Sequence, residues 1–391
     1  MQKAEIVIIG GGVIGSAIAY FTAVDPAFQG RILVIEKDPT YAEAATARSA
    51  GGIRQQFSTP ENIQMSIFGA AFVKAAAEHL SLPGERIDLP FVENGYLFLA
   101  TAAGLPVLAR NHALQTELGA EIAFLDPAGL RQRFPWLNTE DLAGGSHGLA
   151  NEGWTDPYSL LQAFRRKAIQ LGVEYRKDAV AGMLREGDRI TAVELAGGER
   201  IACGAAVDAA GIGATGIART VGVELPVRPR KRFVFVFDCR EPIRKAPLTI
   251  DPSGVYFRPE GASFICGVSP EEAEDRDCTD LEVEYELFES AIWPALAHRV
   301  PAFEAIKLVR AWAGHYDYNT LDQNAILGRV PGFANFYLAN GFSGHGLQQS
   351  PAVGRAIAEL LVHGRYRTLD LSRFGFERVL AGQPLAELNV V

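Results

Sequence analysis

Apolar positions open the chain as an unbroken run at residues 6–9, pass through Gly10, Gly11 and Gly12, and resume at helical spacing with Ile14, Ala17 and Ile18. The pattern predicts a strand, a tight glycine turn and a helix. A second strand, over 31–35, ends at Glu36. Thr59-Pro60-Glu61-Asn62 reads as a cap with proline in the first turn of a helix through Phe72 and Ala76. Proline-punctuated segments follow over 83–135: a strand-like 91–99 with a turn at Glu93-Asn94-Gly95, a helix over 105–118, and a short helix opened by Asp126-Pro127. Asp156 is placed to cap a helix over 158–171, ahead of strands at 173–176 and 190–195 and a hairpin-like turn at Gly197-Gly198. Residues 205–217 again run from strand into small residues and glycine. Strands are expected over 228–237, 255–258 and 263–267, a helix over 281–297, and strands at 325–327 and 336–339. The last of these leads into NGFSGHGLQ at 340–348 and then a helix over 351–362.

Residues 6–24 carry no charge, a length that could suggest a membrane helix or signal sequence. Three consecutive glycines and Glu5 argue against both. At 391 residues the chain is too large for one simple core, so two domains are expected. A hydrophobic content of 48% and a charged content of 21% describe an ordinary soluble protein. The net charge of −9 offers no basic footprint for nucleic acid. Cys203, Cys239, Cys266 and Cys278 form no CxxC, and no histidines form HxH or HExxH. Neither a disulfide framework nor a metal is therefore expected, and the cytoplasm is the simplest compartment.

Candidate chemistry concentrates at the two strand–glycine–helix units. In the first, Gly10 permits the turn, Gly12 lets the backbone approach a diphosphate, and Gly15 lets the helix lie on the strand. Val13 and Ile14 open that helix. Glu36, 21 residues beyond Gly15, can accept from ribose hydroxyls and disfavours a 2′-phosphate. This unit alone fits NAD as well as FAD. The second unit, at 340–348, offers another helix N-terminus to something negative, and a reduced flavin carries negative charge at its pyrimidine end.

Five segments in order, GGGVIG with Glu36, ARSAGGIRQ, VDAAGIGA, WAGHYDYNTLDQNAILG and GFSGHGLQQSPAVGRAIAELL, resemble the D-amino-acid oxidase family of FAD enzymes, in its glycine oxidase and sarcosine oxidase branch. The likeness covers the chain up to about Phe376. It implies an α/β fold: a Rossmann-like FAD domain from 1–82, 146–224 and 318–391, and a discontinuous α+β substrate domain on an antiparallel sheet from 83–145 and 225–317. Gly10, Gly12 and Gly15 would hold the pyrophosphate, and Glu36 and Lys37 the adenosine. Arg48, Ser49, Ala50, Gly51 and Gly52 would line the flavin, with Gly314 close by. Val180 would pack by the adenine and Ala210 and Gly211 lie near the nucleotide. Gly341, Gly344, His345, Gly346, Leu347 and Gln348 would face the pyrimidine edge.

The implied reaction is oxidation of a C–N bond in an amino acid or secondary amine, with hydride transfer to flavin N5 and hydrolysis of the imine. For the substrate side the candidates are Tyr256, Arg258, Arg232, Arg54, His315 and Tyr316, since an arginine fork suits a carboxylate. Where relatives attach flavin through cysteine or histidine, this chain has His315 and Arg48, which implies non-covalent FAD. Where active-site lysines stand in sarcosine oxidases it has Ile265 and Gln348. That favours a dehydrogenase passing electrons to a quinone or carrier over an oxidase using oxygen. The same flavin geometry also suits a 2-hydroxy-acid dehydrogenase, and a flavoprotein subunit or assembly factor is the reading from another class. Acid precipitation should leave the yellow cofactor in the supernatant; colour that pellets with the protein would place a covalent link and contradict the non-covalent reading.

Overall fold

A computed structural model describes residues 2–388 apart from 242 and 244. β1 (Gln2–Ile9) passes through the glycine turn into α1 (Val13–Val24) and on to β2 (Ile32–Glu36). A short β3 (Gly52–Ile53) precedes α2 (Pro60–Lys74), with proline at its start, and α3 (Ala76–Leu80). β4 (Phe91–Val92), β5 (Tyr96–Ala100), α4 (Leu105–Glu117), β6 (Ile122–Leu125), α5 (Pro127–Arg133) and β7 (Gly144–Gly148) follow. β8 (Gly153–Thr155) leads into α6 (Pro157–Gln170). Asp126 and Asp156 cap α5 and α6, accepting from Gly129 N–H and Ser159 N–H. β9 (Glu174–Lys177), β10 (Val180–Glu186), β11 (Arg189–Leu195) and β12 (Arg200–Asp208) then lead to α7 (Ala214–Arg219).

The next visit comprises β13 (Val227–Cys239), β14 (Leu248–Ile250), β15 (Tyr256–Glu260), β16 (Ser263–Gly267), α8 (Trp293–Arg299) and β17 (Ile306–Asn319). β18 (Ile326–Arg329), β19 (Phe336–Asn340), α9 (Gly346–His363) and α10 (Phe376–Leu380) complete the chain.

The first sheet is parallel at its centre. β9, β2, β1, β12 and β19 lie side by side, β18 pairs antiparallel with β19, and the β10–β11 hairpin joins the other half of β12. Strands buried on both faces need apolar residues in unbroken runs, which is why β1 and β2 read so. One face packs on α1, α6 and α9 through Ile8, Val34, Ala17, Phe164 and Val353. The other packs on α7 and the hairpin through Val7, Leu33, Ala218 and Val193. The second sheet is ordered β17-β13-β16-β15-β14-β5-β7-β6 and is mostly antiparallel. Its phenylalanine-rich side, with Phe235, Phe237 and Phe257, packs on α8 and Phe303. The chain passes between the sheets repeatedly, and their meeting places β13, β17 and the Gly52 segment beside the carboxyl ends of the parallel strands.

The turn expected at Glu93-Asn94-Gly95 separates two strands that do not pair with each other: β4 pairs with β8 in a small third sheet while β5 joins the large antiparallel one. Gly95, at φ +82°, turns the chain between them. One expectation is corrected: the helix expected over 281–297 starts at residue 286 and runs through a π-helical turn at 288–292 into α8. The acidic residues before it are drawn elsewhere, with Lys231 bridging to Asp280 and Glu284. Residues 144–148, GGSHG, form a strand inside the antiparallel sheet that the sequence pattern does not predict, since small residues give no β signal of their own.

Candidate active site

The first glycine turn carries backbone donors beside side-chain acceptors: Gly11 N–H meets the Glu36 carboxylate, and Val13 N–H meets Thr46 Oγ1 at 3.3 Å. Gly10 sits at φ +97°, and a Cβ on Gly15 would overlap the Gly10 carbonyl, so only glycine lets α1 lie this close to β1. α1 has no side-chain cap at Gly12 and no acidic residue in its first turn. Its N-terminus is therefore ready for an anion. At the end of β2 the Glu36 carboxylate is fixed by Gly11 N–H (2.8 Å) and Asp38 N–H (2.8 Å), which orients its remaining lone pairs. Lys37 beside it is exposed and Val180 is half-buried at the start of β10.

Two buried polar atoms lie at the carboxyl ends of adjacent parallel strands without a partner among the described residues: Asp208 Oδ2 on β12 and Asn340 Oδ1 on β19. Burial pushes the Asp208 carboxyl up to about 7. Ala210 N–H donates to its other oxygen (3.1 Å), and Gly211 opens the turn that follows. Ligands of open α/β sheets bind at this end of the strands. With the uncapped α1, these orphaned groups fit a dinucleotide.

The flavin-lining candidates 48–52 are held from several directions. Arg48 donates to the carbonyls of Ala42 (2.8 Å) and Ala313 (2.8 Å), and the Trp312 indole donates to the Arg48 carbonyl (2.9 Å). Gly314 packs directly on Arg48, where a Cβ would lie 3.0 Å from the Arg48 Cβ. Ser49 Oγ accepts from Gly51 N–H, and the Gly51 carbonyl from Thr155 N–H. The Arg258 guanidinium grips the Ala50 carbonyl with Nε (3.0 Å) and Nη2 (2.7 Å), bonds Pro259 O and Glu260, and stacks over Trp154 at 4.9 Å. Arg258 therefore fixes this loop.

At the second unit, the buried Asp317 carboxylate accepts from Gly341 N–H (2.7 Å) and Phe342 N–H (3.2 Å). His345 stands at the N-cap of α9 with no side-chain cap bond, followed by Gly346, Leu347 and Gln348. Gly344, at φ +95°, lies so close to Tyr316 that any side chain would strike its ring. Gln348 Oε1 accepts from Arg54 N–H (2.7 Å), tying the 340–348 loop to the strand that leaves the 48–52 loop.

Beyond Gly52 the side chains converge on one buried cluster. The Arg54 guanidinium donates to the Gln56 carbonyl (3.1 Å) and meets His345 Nε2 at 3.2 Å. It lies over Phe57 at 4.3 Å and Phe98 at 5.2 Å. Burial pushes the His345 imidazole down to about 3, with Arg54 adding to the effect. His345 is therefore neutral, and the donor opposite makes its Nε2 the acceptor. Tyr96 and Tyr316 act on Arg54, Tyr256 lies beside these two tyrosines, and burial raises all three phenols, keeping them protonated. Tyr96 Oη crowds Gly52, and Tyr256 Oη crowds Gly267.

The other candidates are placed differently. Arg232 is held bidentate by Asp275 (2.7 and 2.7 Å), with its guanidinium 5.1 Å from the Tyr316 ring. Side chains alternate along β17, so His315 turns away from Tyr316. Its Nε2 meets the Asp280 carbonyl at 3.0 Å, and burial lowers its pKa. The structure thus joins Arg54, Tyr256, Tyr316 and His345, leaves Arg232 at their edge, and sets Arg258 and His315 apart. Sequence reasoning missed Tyr96, Phe57, Phe98 and the acid Glu152. A tyrosine inside YLFLA looks like any core residue. Glu152 is buried where its carboxylate accepts from Gln55 N–H (2.5 Å) and Gln56 Nε2 (2.8 Å), bracing the stretch that carries Arg54.

Among the described residues no group of three metal-ligating side chains converges, and no helix is long and apolar enough to cross a membrane. The family model for FAD dependent oxidoreductases matches residues 5–360. The FAD-dependent oxidoreductase domain-containing protein 1 of Xenopus laevis is 44% identical, over 100% of this chain and 85% of the relative. Glycine oxidase of Geobacillus kaustophilus is 27% identical over 96% and 97% of the two chains. The crystal structure of L-proline dehydrogenase from P. horikoshii superposes with a TM-score of 0.86, at 28% identity and 98% and 99% coverage.

Burial pushes the Glu152 carboxyl up to about 7, against the hydrogen bonds from Gln56 and Gln55. The folded chain then keeps a proton that the unfolded chain releases above about 4.5, so this group's contribution to stability is complete below that pH and is lost as pH rises through 7. Glu152→Gln cannot titrate. Its Tm relative to the unaltered protein should rise between pH 5 and pH 8; parallel profiles would contradict the assignment.

Proposed function

Because the chain belongs to the FAD-dependent oxidoreductase family of D-amino-acid oxidase and has FAD as its cofactor, we propose that it oxidises the C–N bond of a small amino acid or secondary amine, clamped by its carboxylate on Arg54. The observation that carries this reading is the buried Arg54 guanidinium, laid on Phe57 and Phe98 and facing three protonated tyrosines beside the 48–52 and 340–348 loops. L-proline dehydrogenase and glycine oxidase, both similar to this chain over nearly their whole length, are named for substrates with a carboxylate next to an amine-bearing carbon.

Gly10, Gly12, the α1 N-terminus and Glu36 would hold the dinucleotide end of FAD, and the loops 48–52 and 340–348 its ring system. FAD held there would supply a two-electron acceptor for hydride from the carbon beside the substrate nitrogen. The protein's share is positioning and desolvation. Arg54 offers a planar fork to the carboxylate, and its bond to neutral His345 fixes the direction of that fork. Tyr96, Tyr256 and Tyr316, kept protonated by burial, donate hydrogen bonds and do not serve as bases. His345, neutral well below pH 7, does not deliver a proton. The amine must therefore arrive neutral, and the apolar walls favour that form.

A dehydrogenase is the preferred class. Ile265, standing where relatives carry a lysine, is buried with Val234 and Val236 against Ala50 and Trp312. The guanidinium nearest to it, Arg258, is bound to the Ala50 carbonyl and to Glu260, so no lysine ammonium stands there to assist oxygen, and a quinone or carrier is the acceptor this reading favours.

Anaerobic mixing with L-proline, glycine, sarcosine, D-amino acids and 2-hydroxy acids tests the proposal through bleaching of the flavin. An amino acid or N-methyl amino acid should bleach it fastest. Arg54→Gln should raise the substrate concentration for half-maximal bleaching by about a hundredfold, the scale of one charge-assisted carboxylate contact. Bleaching by hydroxy acids alone, no bleaching by any compound, or an unaltered Arg54→Gln profile would overturn it.

A further inference from the structure

The segment after α10 lies beyond the family match, which ends at residue 360. It is nevertheless threaded back into the molecule. Arg378 grips Asp322 with Nε (2.7 Å) and Nη2 (3.1 Å), Asp322 accepts from Leu385 N–H (2.9 Å), and the Leu385 carbonyl accepts from Asn324 Nδ2 (2.6 Å). This delivers Glu387, buried, to the start of α2. Its carboxylate accepts from Ser58 N–H (2.6 Å), Ser58 Oγ (2.6 Å), Thr59 N–H (3.0 Å) and Asn62 Nδ2 (3.0 Å), and Leu388 N–H donates to Ser58 Oγ (2.8 Å). Thr59, the N-cap residue of α2, makes no side-chain cap bond of its own. A carboxylate 328 positions away in the chain does that work.

The turn it fixes is part of the buried cluster. Phe57, the residue before Ser58, carries the Arg54 guanidinium on its face and meets the His345 ring edge-on at 5.1 Å. Electrostatically Glu387 acts on both members of the pair: burial works against the Arg54 charge, and Tyr96, Glu387, Glu152 and Tyr316 oppose that.

We propose that Glu387 is a positioning residue of the substrate site: by locking the Ser58–Thr59 turn under Phe57 it holds the Arg54 guanidinium in the orientation that receives a substrate carboxylate. The C-terminal segment is thereby a working part of the site. This rests on the reading of Arg54 as the carboxylate clamp. Two effects of removing the Glu387 charge have opposite signs. Less repulsion of an incoming carboxylate would tighten binding, whereas loss of the two hydrogen bonds accepted by one of the carboxylate oxygens, and of the charge that strengthens the others, would loosen the turn and weaken it. The second dominates, because the bonds act directly on Ser58, the residue adjoining Phe57.

The test uses the FAD-loaded enzyme, with benzoate and its neutral amide benzamide titrated against the flavin absorption spectrum. Glu387→Gln should weaken benzoate about tenfold, the scale of one misaligned charge-assisted bond. Benzamide should stay within about twofold, and Arg54→Gln combined with Glu387→Gln should bind benzoate no worse than Arg54→Gln alone. Unchanged or tighter benzoate binding with only a lower Tm, or equal weakening of both probes, overturns the proposal. If Arg54→Gln weakens benzoate and Glu387→Gln does not, the proposal alone fails. If Arg54→Gln binds benzoate normally, the clamp reading fails and takes the proposal with it. Should Glu387→Gln not retain FAD, Ser58→Ala takes its place: about threefold weaker benzoate with unchanged benzamide supports the proposal, and no difference between the probes overturns it.

Discussion

Helices α1 and α9 both begin without a side-chain cap from their N-cap residues, and in the proposed site both N-termini face the same cofactor. An uncapped terminus is costly unless an anion completes it. At α1 glycine occupies positions 10, 11 and 12, Val13 N–H meets Thr46 Oγ1 at 3.3 Å, and Glu36 is turned toward Gly11 and Asp38. At α9 it uses Asp317 to hold the 341–342 backbone, so that the loop reaches the helix already shaped. The bond from Arg54 N–H to Gln348 Oε1 then joins the two loops nearest the reactive end. In the proposed site the cofactor completes the fold's own donors, and the proposed substrate cluster is built on the residues that tie these loops together.

Much of this framework was legible because it depends on local geometry. Glycine 10 and glycine 15 are demanded by a positive φ and by a close helix–strand approach, and such demands appear in sequence as fixed spacing. The caps at Asp126 and Asp156 were equally plain, since a carboxylate three residues from the N–H it accepts is a local event. Residues 281–297 misled because their helical pattern is real, while the basic strand β13 draws the acids at its start into ion pairs. Tertiary charge pairing there overrides local propensity.

The substrate cluster was legible only in part. Arg54 and Tyr316 lie near recognisable motifs and do meet. His315 lies next to Tyr316 in sequence, yet strand alternation sends it to the other face. Tyr96, Glu152 and Glu387 carried no signal because each owes its place to residues far away in the chain. Glu387 meets Ser58 across 329 positions, and nothing in the composition of AGQPLAEL announces that. Arg232 and Arg258 have the fork chemistry that a carboxylate wants, but Asp275 and the Ala50 carbonyl already occupy them.

The central claim is that one buried guanidinium, Arg54, receives the substrate carboxylate. Its most direct test is a crystal structure of the FAD-loaded enzyme with a non-oxidisable carboxylate bound. Carboxylate oxygens within hydrogen-bond distance of the Arg54 nitrogens, with Asp275 still on Arg232 and the Ala50 carbonyl still on Arg258, are the predicted result. A carboxylate seated on Arg232 with Asp275 displaced, and Arg54 untouched, would contradict the account.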